Sequence, residues 1–444
     1  MSEYGPLPGG GFLGQILGDL AKLLGGGGGS DAQKAMARQF AVGIAAGEQA
    51  EGNVDPALRM RLEEIVHVAE LHVTEVTGMP ATASGRMLGV VAVTRSEWAA
   101  RSTDAWWPLF QSATAPPKGT PSPAQPGEGA PGSDTNVLES LGGIEGSGGL
   151  DQFSGPEGLG NLMGALGAMN PWSEGDDDED DAMSRMLSQW ASAFQPVLLG
   201  MQFGSAIGHL AHHAMGQYRL PLRSSGPDEL VLVPTNMASF AQAWGLQLDD
   251  VLVWTAVSET CHHVLLSRRP AGERIEELVR AYLQGFEQIR PDQDWLARFD
   301  PADPATMERL MSNPEELLGD LRTPAQDAAL KELSALVAVV LGFVDHVIQR
   351  AGRKLLGAFA AVDEAFRRAR IAREEDERLA ESLFGLQLEQ SQHERGSAFI
   401  SGVIERAGEE RLVTLWSAKE NLPTPAEVDA PGLWLARLEI DADS

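Results

Sequence analysis

The chain has 444 residues, 43% of them hydrophobic, a formal charge of −29 and a single cysteine, Cys261. Length and apolar content suffice for a large packed core, while one cysteine excludes an internal disulfide, a multi-cysteine zinc site and iron–sulfur chemistry. The acidic balance repels a phosphate backbone, and no apolar run reaches the roughly 18 residues of a membrane span.

Nucleic acid and membrane are therefore not expected partners. The N-terminus has no basic signal-peptide start, and the expected location is cytoplasmic.

In chain order, residues 1–30 read as a flexible N-terminal segment. Phe12, Ile16, Leu20 and Leu23 fall near helical spacing and are followed by five glycines and Ser30, a flexible linker by composition. Residues 31–111 read as the helical N-terminal part of a core. One helix is predicted over 32–46. A second starts at Asp55-Pro56, an N-cap with proline at the first helical position, and stops at Gly78. A third amphipathic segment from Ser96 carries Trp98, Trp106, Trp107 and Phe110.

Residues 112–181 are rich in proline and glycine and include the acidic run 176–181. Such a stretch buries too little apolar surface to offset its ordering entropy. It reads as a disordered acidic insertion, with one short helix around 159–169. The acidic run lacks the ligand spacing of a calcium loop.

Residues 182–444 read as the main helical core. The apolar stretch 185–215 carries Gly200, Gly204 and Gly208 at intervals of four, a stripe suited to close helix packing. A short strand is predicted over 229–234 and a short helix over 236–244. Further helices are predicted from Leu248, over 275–289, 324–352 and 355–383, then helices alternating with turns over 392–438. Arg367, Arg368, Arg370 and Arg373, followed by four acidic residues, read as a solvated helix face of alternating charge blocks. The expected class is mainly α with little strand.

The helix from Leu248 contains Ser258-Glu259-Thr260-Cys261-His262-His263. In the helical motif H-E-x-x-H, two histidines on one face hold zinc and the glutamate polarises the attacking water. Glu259 and His262 keep two of those positions, and Ser258 stands in place of the first histidine. A buried, hydrogen-bonded structural Glu–His pair is the other reading. His209 and His213, one helical turn apart, form either a relocated metal site with His262 or His263, or partly exposed histidines on an amphipathic helix. Cys261 reads as a buried, inert thiol. Phosphate-loop, dinucleotide-binding and G-x-S-x-G signatures are absent.

Several fragments in order, Gln202 to Gly208, Gly216-Gln217-Tyr218-Arg219-Leu220-Pro221-Leu222, Val231 to Asn236, Leu341 to Val347, Gly396 to Ile400 and Asn421 to Val428, resemble an actinobacterial family of zincin-like, zinc-dependent metalloproteases or hydrolases. One branch of that family carries a coenzyme-biosynthesis label. The resemblance implies a zincin-like multi-helix core interrupted by the insertion, zinc as the cofactor, Glu259 as general base and His262 as a retained ligand. It also implies that Ser258 and Leu341 occupy degenerate ligand positions, Leu341 standing where an acidic third ligand belongs. Asp345 is then expected to hydrogen-bond His262 or His346 from behind the metal, and His346, His209 and His213 become substitute ligands. Two functions follow from the resemblance: a binding or scaffold protein for a peptide or protein partner with a degenerate zinc site, or an active metal-dependent hydrolase with a remodelled ligand set.

Overall fold

The computed structural model describes residues 30–47, 51–82, 84–114, 200–267, 270–285, 322–373 and 375–442. The chain divides into two units. Of the first, Met1–Gln33 with Pro116–Leu198, only Ser30–Gln33 is described; the second, Lys34–Ala115 with Leu199–Ser444, carries the fold and the site. The N-terminal segment before Ser30, the acidic run, the short helix at 159–169 and the start of the apolar helix at 185–199 lie outside the described residues.

Helices dominate. α1 (Ser30–Ala46) and α2 (Pro56–Thr77) stand where the periodicity predicts them. The ends of α2 follow the cap chemistry: Asp55 accepts the Ala57 N–H at 3.0 Å, and Gly78, at φ 66°, returns its N–H to Thr74. α3 (Arg95–Thr114) buries Trp98, Trp106, Trp107 and Phe110, which meet Phe203 of α4 (residues 200–213) and Phe384. Gly204 and Gly208 of α4 let it approach α1 closely. An ideal Cβ on Gly204 would lie 2.2 Å from the Ala37 carbonyl oxygen, and one on Gly208 2.6 Å from Ile44 Cβ. The glycine stripe is a packing surface.

β2 (Glu229–Leu232) is the predicted strand. Its parallel partner β1 (Gly89–Ala92) was not expected from the sequence, being four residues with no alternation to mark it. Gly216 bridges antiparallel to Leu232.

α5 (Pro234–Trp244) leads into α6 (Leu248–Leu266), which is buried almost all round from Val251 onward, the mark of a central helix. α7 (Pro270–Gln284) and α8 (Pro324–Val347) pack against it, and α8 continues through a π-turn, Ile348–Gly352. The predicted single helix over 355–383 is instead α9 (Phe359–Ile371) and α10 (Glu375–Ser382). α9 ends at its C-cap, Ala372, and Arg370 and Arg373 on either side of it reach different carboxylates, Asp345 and Glu381. α11 (Gln390–Ala407) crosses α8 at backbone contact: a Cβ on Gly396 would stand 1.7 Å from the Ala338 carbonyl oxygen. α12 (Pro425–Asp429) and α13 (Pro431–Ala442) close the chain. No helix among the described residues is long and apolar enough to cross a membrane.

Candidate functional site

The site is centred on α6. Residues three apart on a helix share a face, so Glu259 and His262 look out together, and both are nearly enclosed, at 6% and 8% exposure. What covers them is the segment Gly216-Gln217-Tyr218-Arg219. Its backbone is held from several sides. The Trp98 indole N–H donates to the Gly216 carbonyl at 2.9 Å, Met215 accepts the Val233 N–H at 2.8 Å, and the Gln217 side-chain oxygen accepts from Ser225 Oγ at 2.7 Å and Val231 N–H at 3.0 Å.

From this clamp, Tyr218 donates its backbone N–H to Glu259 Oε2 at 3.0 Å. The Tyr218 ring stacks on His262 with centroids 5.9 Å apart and planes within 16°. Its hydroxyl lies 3.1 Å from His263 Nδ1, and His263 Nε2 lies 3.0 Å from the Pro227 carbonyl. The Pro227 carbonyl accepts from Nε2–H, and in the neutral imidazole Nδ1 then accepts the Tyr218 hydroxyl proton. His262 likewise gives Nδ1–H to the Ser258 carbonyl one turn back, at 2.9 Å.

Burial sets the charges. It pushes Glu259 up to about 8, against the opposing pull of the Tyr218 N–H and the Arg219 charge. It pushes His262 down to about 4, against the hydrogen bond to Ser258. Both groups are therefore mainly neutral at pH 7. The buried Cys261 thiol is raised, by burial first and by the Asp345 charge second, and is unreactive. The Glu–His pair expected from the sequence is not formed: Glu259 is hydrogen-bonded to Tyr218, and His262 to Ser258.

Arg219 links this segment to α10. Its guanidinium contacts Glu377 and donates to Glu381 at 2.8 Å, while Arg373 donates to the other Glu381 oxygen at 2.9 Å. Two arginines and two glutamates thus neutralise one another, with Glu381 2% exposed and Arg373 7%. Part of the expected solvated charge face is therefore interior. Arg367 and Arg368 do sit outside, on Glu364.

The remaining candidates have partners of their own, away from Glu259 itself. Leu341 is an apolar core residue on α8. His346 bonds Glu409 at 2.9 Å, and His209 lies 3.7 Å from Asp376. His213 is exposed, at the end of α4. Asp345 bonds neither His262 nor His346: it takes His393 Nδ1 at 2.7 Å and the Arg370 guanidinium at 3.2 and 3.3 Å. Arg370 Nη1 also lies 2.9 Å from His393 Nδ1. A single Nδ1 cannot both donate and accept, and the ionised carboxylate at the shorter distance takes its proton. Burial raises Asp345, but the hydrogen bond and charge of His393 and Arg370 outweigh it and hold the carboxyl below its usual range.

His393, Arg370, Tyr218 and Gly216 were missed as site residues. Only the Gly216-Gln217-Tyr218-Arg219 fragment carried a signal, and it had no assigned role. Zinc does not fit the residues present at the motif. Ser258 and Leu341 supply neither imidazole nor carboxylate, the Tyr218 ring lies against His262, and no group of three His, Cys, Asp or Glu side chains among the described residues converges to hold a metal.

The sequence profile of the family described as zincin-like metallopeptidase matches residues 33–435. No curated protein matches the chain. Among solved structures the chain is similar to the crystal structure of a "putative hydrolase with a novel fold" from Chloroflexus aurantiacus, at 20% identity and a TM-score of 0.55, over 91% of this chain and 98% of that one. At that identity the likeness concerns the fold.

Proposed function

The chain belongs to the zincin-like metallopeptidase family, and from that premise we propose that it is a non-proteolytic member with a binding or scaffold role toward a peptide or protein partner. In this reading the zinc helix has become part of the packed core. The observation that carries it is the cover on the motif: Gly216 lies against Glu259 and Tyr218 against both Glu259 and His262, where a metal-bound water and a scissile bond would have to sit.

The test is zinc content by mass spectrometry on untagged wild-type protein and the His262→Ala variant. Metal-free wild type that stays folded and takes up no added zinc is the expected result. Near-stoichiometric zinc, lost in the variant, overturns the reading.

One observation favours the second reading, a metal-dependent hydrolase with Glu259 as general base and a remodelled ligand set. His262 and His393 each donate Nδ1–H to an acceptor, Ser258 O and Asp345, the arrangement that leaves Nε2 with a lone pair. Stoichiometric zinc lost in both His262→Ala and His393→Ala would establish that reading in place of the first.

A further inference from the structure

A cavity of about 450 Å3 lies away from Glu259 and His262, bordered by α1, the start of α2, the end of β1 and the first turns of α3. Its wall carries three guanidinium groups, Arg38, Arg59 and Arg101. In a chain of formal charge −29 this concentration of positive charge is local. The two acids in the wall are already engaged. Glu97 accepts the Thr94 N–H at 2.9 Å as a helix cap, and Asp104 is shared by Lys34 at 3.0 Å and Arg38 at 3.4 Å. Arg101 reaches Glu229 only at 4.0 Å, and Arg59 makes no ion pair among the described residues. Arg59 and Arg101, so weakly partnered, suit carboxylates, which guanidinium groups bind through paired N–H donors.

The second observation concerns the backbone. Gly89 and Val93 donate their N–H groups across to Asp228 and Leu232, each at 2.9 Å. The two-residue alternation of a strand then turns the N–H and C=O of Val90 and Ala92 to the opposite edge of β1, which pairs with no strand among the described residues. Val91, Ala92 and Val93 border the cavity. An open strand edge recruits an extended segment through its main chain, and side-chain pockets beside it select the sequence.

We infer that this cavity binds an extended peptide whose backbone pairs with Val90 and Ala92 on the edge of β1 away from β2 while its carboxylate side chains meet Arg59 and Arg101. Charge complementarity chooses the occupant: an apolar peptide would leave the guanidiniums unanswered, and a basic one would be repelled. The site shares no residue with the Glu259 motif. It gives substance to the proposed binding role, yet either outcome of the zinc measurement leaves it standing.

The test is fluorescence anisotropy on the full-length protein with a labelled, end-capped peptide of alternating valine and glutamate. Three comparisons accompany it: the glutamine isostere, the same peptide with alternate backbone nitrogens methylated, and inorganic phosphate as competitor. The glutamate peptide is expected to bind about tenfold or more tightly than its isostere and to weaken with added salt. Arg59→Glu and Arg101→Glu should each cost about tenfold, and backbone methylation a similar factor. Arg59 and Arg101 are exposed, so both variants should melt with the wild type, which a thermal scan verifies. Equal binding of the two peptides, indifference to Arg59→Glu, or indifference to methylation would overturn the inference. So would full displacement by millimolar phosphate, which would mark a small-anion site.

Discussion

The carboxylate of Glu259 occupies the room that Gly216 leaves by having no side chain. An ideal Cβ at position 216 would lie 2.4 Å from both Cδ and Oε2 of Glu259 and 2.7 Å from its Cγ. The backbone there is extended, at φ −155°, so glycine is required for space and not for handedness. Gly216→Ala should displace the carboxylate, break its bond to the Tyr218 N–H and cost about 1–3 kcal/mol in urea unfolding. In a Glu259→Ala background the same substitution should cost much less. A double-mutant cycle with no coupling would mean that the contact carries no energy.

Ionisation of Glu259 makes stability depend on pH in a definite direction. Its folded value of about 8 stands above an unfolded value near 4.3, so the folded state holds the extra proton between them and stability falls as pH rises through that window. His262, at about 4 folded against about 6.5 unfolded, works oppositely, adding stability as pH rises from 4 to 6.5. Glu259→Gln keeps a neutral side chain at all pH. The variant should gain on the wild type by up to about 1.4 kcal/mol per pH unit between pH 4.5 and 8, then level off. Urea midpoints across that range check it, and parallel curves would place the Glu259 ionisation elsewhere.

Tyr218 joins the two histidines of α6. Tyr218→Phe keeps the ring against His262 and removes the proton given to His263 Nδ1. A loss of about 1–2 kcal/mol is expected, the usual cost of depriving a buried acceptor of its donor. Imidazole nitrogen chemical shifts give the second readout: His263 should move more than His262.

Gly396→Ala tests the closest helix crossing. The added methyl would meet the Ala338 carbonyl oxygen at 1.7 Å, and that oxygen belongs to helical backbone that cannot swing aside as a side chain can. α8 and α11 must separate, at about 3 kcal/mol or more. A melting temperature equal to the wild type would show that the crossing is looser than described.

The helices around Asp55-Pro56 and Gly78, the glycine stripe of α4 and the aromatic face of α3 were legible because each rests on local rules: caps, backbone permissiveness and 3.6-residue periodicity. The helical class and the location of Glu259 and His262 on one helix face needed nothing more, whereas the reading of Ser258 and Leu341 as degenerate ligand positions came from the family resemblance and not from local rules.

Residues far apart in sequence decided everything else. Arg370 and Arg373 read as surface charge because their neighbours are charged. They are interior because α8 and α10 bring Asp345 and Glu381 to them. His393 offers no motif, and only the packing of α11 on α8 gives it Asp345. β1 became a strand through its pairing with a segment about 140 residues away, hydrogen bonds that local propensity does not encode. The sequence by itself determined the helical frame and the chemistry missing from the motif. The tertiary structure decided what fills that motif, Tyr218 over a buried and mainly protonated Glu259, because burial and partner choice arise only when distant segments meet.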